Sequence, residues 1–239
     1  MAAPAPLCKP AHRVDRQARR IELGPGEGHR HTASVLVLHG FGDTAAGWFE
    51  PAFWWAERLP HVRFVLPTAP VSAEMGTTAW FSFGGPNFKR SFAESVQALQ
   101  AMLAVEEQAV GAGRVAVVGF SQGGALAYHL GLHPAAARLG GIAALSTFLR
   151  KESLEAFAEA SKQTAVLVCH GTEDDRIPGG AQGAEKARGR LAAKGFGDVE
   201  LKVYQGLGHA ASEEELRDIL QWLRRVLPEG DLAEPKARL

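Results

Sequence analysis

The sequence predicts an α/β fold: a mostly parallel central sheet with helices on both faces, in a single domain. Three observations lead there. Six short apolar runs rich in β-branched residues each end at Gly, Pro or Ser. Longer stretches with helical spacing of apolar residues lie between them. The 239 residues, 46% of them hydrophobic, suffice for one sizeable core and fall short of two ordinary domains. Alternation of strand and helix is the signature of a parallel sheet, because parallel neighbours need crossovers and those crossovers cover both faces.

In chain order, residues 1–18 are rich in Pro, Ala and Arg without apolar period and are expected to form a flexible tail. The domain is expected over 19–229. Its strands are SVLVLHG (34–40), VRFVLP (62–67), RVAVVGF (114–120), GIAALS (141–146), AVLVCHG (165–171) and VELKVYQG (199–206). Their near-continuous hydrophobicity suits strands buried on both faces. Trp54 and Trp55 belong to a helix, and being adjacent they cannot both face the core. Residues 91–109 form a helix with Phe92, Val96, Leu99, Leu103 and Val110 along one face. Residues 122–132 and 183–194 are Ala- and Gly-rich helices. The last helix, 212–227, opens on Ser212 and Glu215 at capping-box spacing, with acids first and arginines last. Residues 230–239 read as a second tail.

Equal numbers of basic and acidic residues give no reason to expect nucleic acid or an anionic membrane as the main partner. Two cysteines make no disulfide framework, so a reducing, cytoplasmic setting is expected. Cys169 lies inside a strand as a buried thiol, and Cys8 near the start is a weak candidate for lipid attachment. The opening residues lack the apolar stretch of a secretory signal, and no run approaches the ~20 apolar residues of a membrane span. Integral membrane association is therefore not expected, and surface contact is at most transient.

One motif carries chemistry. The strand 114–120 runs straight into Ser121, with Gly119 two residues before, Gly123 two after, and a helix beginning at once. This is the strand–turn–helix setting of a nucleophile elbow, in which small neighbours let strand and helix approach while the hydroxyl stands clear of the sheet. Such a serine needs a base and an orienting acid. Of nine histidines, His129 and His133 lie too far down the helix from Ser121, and His39 and His170 close strands. His209, in the Gly-rich loop before the last helix, can swing over the sheet edge and follows any acid in the order this chemistry uses. It is the expected base, with His39 a distant second. Glu173, Asp174 and Asp175 occupy one loop between serine and histidine, and spacing does not choose among them.

Together, LHGFGDTAAGW (38–48), GFSQGGALA (119–127), CHGTEDDRIP (169–178) and GLGHAAS (206–212) resemble the carboxylesterase and acyl-protein thioesterase (phospholipase/carboxylesterase) family of small α/β-hydrolases, over about residues 33–228. The resemblance implies an α/β-hydrolase fold, Ser121 as nucleophile, His209 as base and Asp174 as acid. It also implies an oxyanion hole from the backbone N–H groups of Phe41 and Gln122, and no cofactor or metal. The expected substrate is an acyl ester or S-acylated protein or small molecule. The alternatives are a lysophospholipase or a non-catalytic hydrolase fold that binds an apolar ligand. Two departures bear on this. Asp175 and Arg176 put charge into the acid loop. TTAWFSF (77–83) matches the family's stretch only at Trp80 and Phe81, which puts the substrate rather than the chemistry in question. Trp80, Phe81, Phe83, Phe88, Phe148 and Leu149, read as loop residues, are candidates to line an apolar acyl channel. Because a protonated imidazole cannot accept the serine proton, the rate is expected to fall on acidification through the range where imidazoles charge, about 6.5 for a free side chain. A flat rate from about pH 5 to 8 with chemistry rate-limiting would remove His209 from the role of base.

Overall fold

The computed structural model describes residues 12–133, 138–155 and 157–230. In chain order its elements are β1 (His12–Gln17), β2 (Arg20–Gly26), β3 (Ala33–Leu38), α1 (Phe49–Ala56), β4 (Val62–Pro67), β5 (Val71–Ser72) and β6 (Thr77–Thr78). There follow α2 (Phe88–Val110), β7 (Val115–Phe120), α3 (Gln122–Leu132), β8 (Gly141–Leu145), α4 (Lys151–Glu155), β9 (Ala165–Gly171), α5 (Gly180–Ala193), β10 (Val199–Tyr204) and α6 (Glu213–Val226). The main sheet has eight strands in the order β1-β2-β4-β3-β7-β8-β9-β10. From β4 to β10 every neighbour is parallel, while β1–β2 and β2–β4 are antiparallel. β5 and β6 form a separate small hairpin.

The period-two geometry of a strand explains how one sheet feeds two cores. Leu36 and Leu38 of β3, Val117 of β7 and Val166 and Val168 of β9 pack with α2, α3 and α5. The intervening Val35, Val37, Ala116, Val118, Leu167 and Cys169 face α1 and α6, where Trp55, Ile219, Trp222 and Leu223 close the other layer. β3, β7, β8 and β9 are buried at almost every position, as their unbroken apolar sequences require. α2 buries all five of its expected apolar positions, Phe92, Val96, Leu99, Leu103 and Val110. Trp55 is buried, whereas Trp54 is half-buried under the Arg58 guanidinium, 4.2 Å from its ring.

The expected tail over 1–18 requires correction. From His12 the chain is already a strand: β1 pairs with β2 through a register shift near its start. Its sequence shows no period because it is an edge strand whose side chains are mostly exposed, so main-chain bonding rather than burial places it. β2 was missed as well, since Gly24 and Pro25 interrupt its alternation of buried Ile21 and Leu23. Residues 1–11, with Cys8, and residues 231–239 of the second expected tail lie outside the described residues.

α6 begins as its sequence suggests, with the Ser212 hydroxyl accepting the Glu215 N–H at 3.1 Å. The Glu215 side chain is then carried into the core beside Cys169, and among the described residues neither of its oxygens has a well-formed hydrogen bond. Burial, with a smaller push from Asp218, raises its pKa to about 8, against the opposing Ser212 amide. A carboxyl whose pKa is higher folded than unfolded favours the fold while protonated. That contribution is complete below the unfolded pKa and is lost as pH rises through about 8, at a cost on the order of 5 kcal/mol. Glu215→Gln keeps the capping shape without the charge. It should raise the urea midpoint at pH 8–9, with the gain shrinking to nothing near pH 4; an equal midpoint shift at both pH values would refute this account.

Candidate active site

Ser121 sits between the end of β7 and the first residue of α3 at φ 55° and ψ −116°, a left-handed conformation that costs a non-glycine residue strain. The glycines around it leave no room for a side chain. A Cβ on Gly119 would enter the Gly123 carbonyl, one on Gly123 would enter the carbonyls of Leu38 and His39, and one on Gly124 would strike the Thr147 side chain. The start of α3 is thus pressed onto β7 and β3 by backbone contact. Two further bonds hold the turn: Ser121 N–H to Leu145 O at 2.9 Å, and the Thr147 hydroxyl to Ser121 O at 2.7 Å. Thr147 follows Ser146, the other described non-glycine residue with positive φ. The residues on either side of Ser146, Leu145 and Thr147, therefore hold the strained residue after β7, and no motif in the sequence pointed to them.

His209 and Asp174 complete a line at the carboxyl edge of the sheet. His209 Nε2 lies 3.0 Å from Ser121 Oγ, and its Nδ1 lies 2.9 Å from Asp174 Oδ2. The Phe120 ring packs against the imidazole at 4.9 Å between centroids. Of the three acids in the loop after β9, Glu173 and Asp175 are exposed and Asp174 turns inward. Burial alone would raise the Asp174 carboxyl. The hydrogen bond from His209 and the N–H groups of Ile177 and Arg176, both donated to Oδ1, outweigh it and hold the pKa below the usual carboxylate value. Arg176 thus contributes its amide while its charged side chain stays outside. His170, which the sequence assigned only to closing a strand, is placed beside the triad: its Nε2 stands 3.1 Å from the same Asp174 oxygen, off the line of a good hydrogen bond, and burial lowers its pKa. The repeated His-Gly at the ends of β3 and β9 was the available signal.

The loop that carries Phe41 and the start of α3 at Gln122 both lie beside Ser121. Gln122 N–H is the first amide of α3, in the turn where helix donors lack intrahelical acceptors. Phe41 lies in the loop after β3, and a Cβ on its neighbour Gly40 would stand 3.4 Å from Ser121 Cβ. Gly42 N–H to Thr78 O at 2.8 Å and the Thr78 hydroxyl to Asp43 O at 2.6 Å bind this loop to β6.

The expected apolar channel needs correction. Trp80 and Phe81 are core residues, 3% exposed each, packed among Phe92, Leu99 and neighbouring groups. Their main chain is clasped by one side chain: Trp80 N–H donates to Gln122 Oε1 at 3.0 Å, and Gln122 Nε2 donates to Phe81 O at 2.8 Å. They back onto a cavity of about 570 Å³ between the β5–β6 hairpin and α2, whose lining excludes Ser121 and His209. Phe88 is the first residue of α2, and Leu149 is buried. Phe83 and Phe148 are exposed, as is Phe41, whose ring meets Phe83 edge-on at 4.8 Å. The apolar surface is thus an aromatic rim. His39, the weaker candidate base, is fully buried and points elsewhere. Among the described residues no His, Cys, Asp and Glu side chains cluster as a metal site would, and no helix is long and apolar enough to cross a membrane.

Residues 26–227 match the phospholipase/carboxylesterase family. The chain belongs to that family. Among curated relatives, the acyl-protein thioesterase 1 of Gibberella zeae is 35% identical over 83% of this chain and 92% of its own length. That of Mycosarcoma maydis is 31% identical over 88% and 98%. Among solved structures, Arabidopsis thaliana SOBER1 superposes with a TM-score of 0.68 at 29% identity, covering 82% of this chain and 99% of that one. Esterase PE8 gives 0.75 at 27% identity, covering 86% and 97%. The fold is the α/β-hydrolase fold and the protein is a hydrolase of this family.

The closeness of α3 to β3 gives a direct check. Gly123→Ala should lower stability by about 2 kcal/mol or more, because backbone carbonyls cannot yield to the added methyl as side chains can. An unchanged denaturation midpoint would show that helix and strand are free to separate.

Proposed function

We propose that the protein is a serine hydrolase of acyl esters and thioesters, with S-acylated proteins as the substrate class closest to its curated relatives' names. The observation that carries this reading is the unbroken line Asp174, His209, Ser121, with Ser121 presented on a strained turn at the carboxyl edge of the sheet. His209 Nε2 accepts the Ser121 proton as Oγ attacks the acyl carbonyl carbon. The negative charge that develops on oxygen is received by the N–H groups of Phe41 and Gln122, whose preorganised dipoles need no rearrangement as the charge forms. Collapse breaks the C–O or C–S bond, and His209 returns its proton to the leaving alkoxide or thiolate. Water then attacks the acyl-serine with His209 again as base, and carboxylate and free serine result. Asp174 keeps Nδ1 protonated and balances the charge on the imidazolium. The exposed rings of Phe41, Phe83 and Phe148 supply apolar surface for an acyl chain. A buried free Cys169 suits a reducing compartment, in keeping with a cytoplasmic site of action.

Two experiments test this. Hydrolysis of p-nitrophenyl esters from acetyl to palmitoyl, and of a palmitoyl thioester, should vanish in Ser121→Ala; turnover surviving in that variant would exclude Ser121 as nucleophile. Asp174→Asn should lower kcat by about 10⁴-fold through the wrong imidazole tautomer. Glu173→Gln and Asp175→Asn should stay within about twofold of wild type, since exposed carboxylates pointing away from the imidazole contribute little. Equal losses in all three variants would mean that the acid is not Asp174.

A further inference from the structure

His39 and Trp80 make directed hydrogen bonds that packing alone does not require. Ala69 N–H donates to His39 Nε2 at 3.0 Å, so the ring's hydrogen must sit on Nδ1. Nδ1 in turn lies 2.6 Å from the carbonyl oxygen of Gly40. Burial lowers the His39 pKa, which favours the neutral, single-tautomer ring that this arrangement needs. The Gly40 carbonyl belongs to the peptide whose other end is the Phe41 N–H. In a trans peptide these two bonds point in opposite directions. A donor gripping the oxygen from behind therefore sets where the N–H points and increases its polarity. The preceding peptide is held in the same way, by the Trp80 indole N–H donating to His39 O at 2.8 Å. The Trp80 ring lies tilted against the His39 ring at 5.0 Å between centroids, and its main chain is tied to Gln122 and to the Ser95 hydroxyl.

We infer that His39 and Trp80 are positioning residues for the oxyanion hole, His39 aiming the Phe41 amide and Trp80 locking that loop to Gln122, the residue that supplies the second amide. The side-chain hydrogen bonds of both residues go to main-chain groups, Gly40 O, Ala69 N–H and His39 O, and to none of the triad. The inference rests on the proposed serine mechanism and assigns to it two residues that sequence reading took as a spare base and a channel wall. It also explains why the Trp80 segment passes so close to the elbow: both donors hang from one residue.

Three variants test it, assayed on p-nitrophenyl butyrate and with a trifluoromethyl ketone that forms a tetrahedral adduct. His39→Leu should lower kcat by about 10- to 100-fold, somewhat less than outright loss of an oxyanion donor, with KM within about threefold. Ketone affinity should fall by a similar factor. His39→Asn, whose amide nitrogen can still donate to Gly40 O, should recover most of the loss. Trp80→Phe, which keeps a ring and deletes the indole N–H, should lower kcat about fivefold or more with an unchanged KM. The idea is overturned if kcat in either His39→Leu or Trp80→Phe stays within about twofold of wild type, if ketone affinity holds while kcat falls, or if His39→Asn is no better than His39→Leu. Should His39→Leu fail to fold, Trp80→Phe decides alone. Retention of turnover in Ser121→Ala would instead sink the serine mechanism and this inference with it, which separates the two failures.

Discussion

The close approach of α3 to β7 and β3 is the constraint on which the rest of the site depends. Gly119, Gly123 and Gly124 let backbone meet backbone where any side chain would intrude. That approach forces Ser121 into a positive φ and lifts its hydroxyl clear of the sheet. It also brings the first amide of the helix and the loop after β3 to the same small volume. Local strain is tolerated because flanking bonds from Leu145, Thr147 and Ala125 pin the Ser121 peptide groups on several sides.

Around this contact the polar groups are arranged so that buried donors and acceptors fix orientation. Asp174 is withdrawn from water yet kept ionised, because two amides and the imidazole supply more favourable contacts than burial removes. His39 is kept neutral by burial and used as a donor and an acceptor at once. His209 and His39 thus have opposite settings: His209 is partly accessible and linked to a carboxylate, His39 is sealed and linked to peptides. Glu215 shows the contrast, a carboxyl buried without such compensation and left to resist ionisation. The same burial has three outcomes, and the number of aligned partners decides among them.

The apolar features divide similarly. Trp80 and Phe81 seal the floor beneath the elbow, whereas Phe41, Phe83 and Phe148 stay at the surface beside it. The large cavity under the β5–β6 hairpin shares the Trp80 and Phe81 wall but not the serine, so size alone would have misplaced the chemistry.

By itself the sequence determined the alternating strands and helices of the parallel core, because strands buried on both faces must be apolar almost throughout and α2 must repeat its apolar stripe. It also determined the elbow, since the glycines are demanded by local backbone geometry and stand beside the serine in the chain. Tertiary structure decided what depends on distant partners. β1 exists through pairing with β2, for which an exposed edge strand carries no hydrophobic pattern. Asp174 is set apart from its neighbours Glu173 and Asp175 by which way the loop turns, and the amides of Arg176 and Ile177 fix that turn. Trp80 and His39 meet across 41 residues of chain, and their directed bonds arise only once β3 and the segment after β6 are laid side by side. Local steric rules can be read along the chain; the direction of a hydrogen bond between distant segments cannot, because it exists only after the chain has closed upon itself.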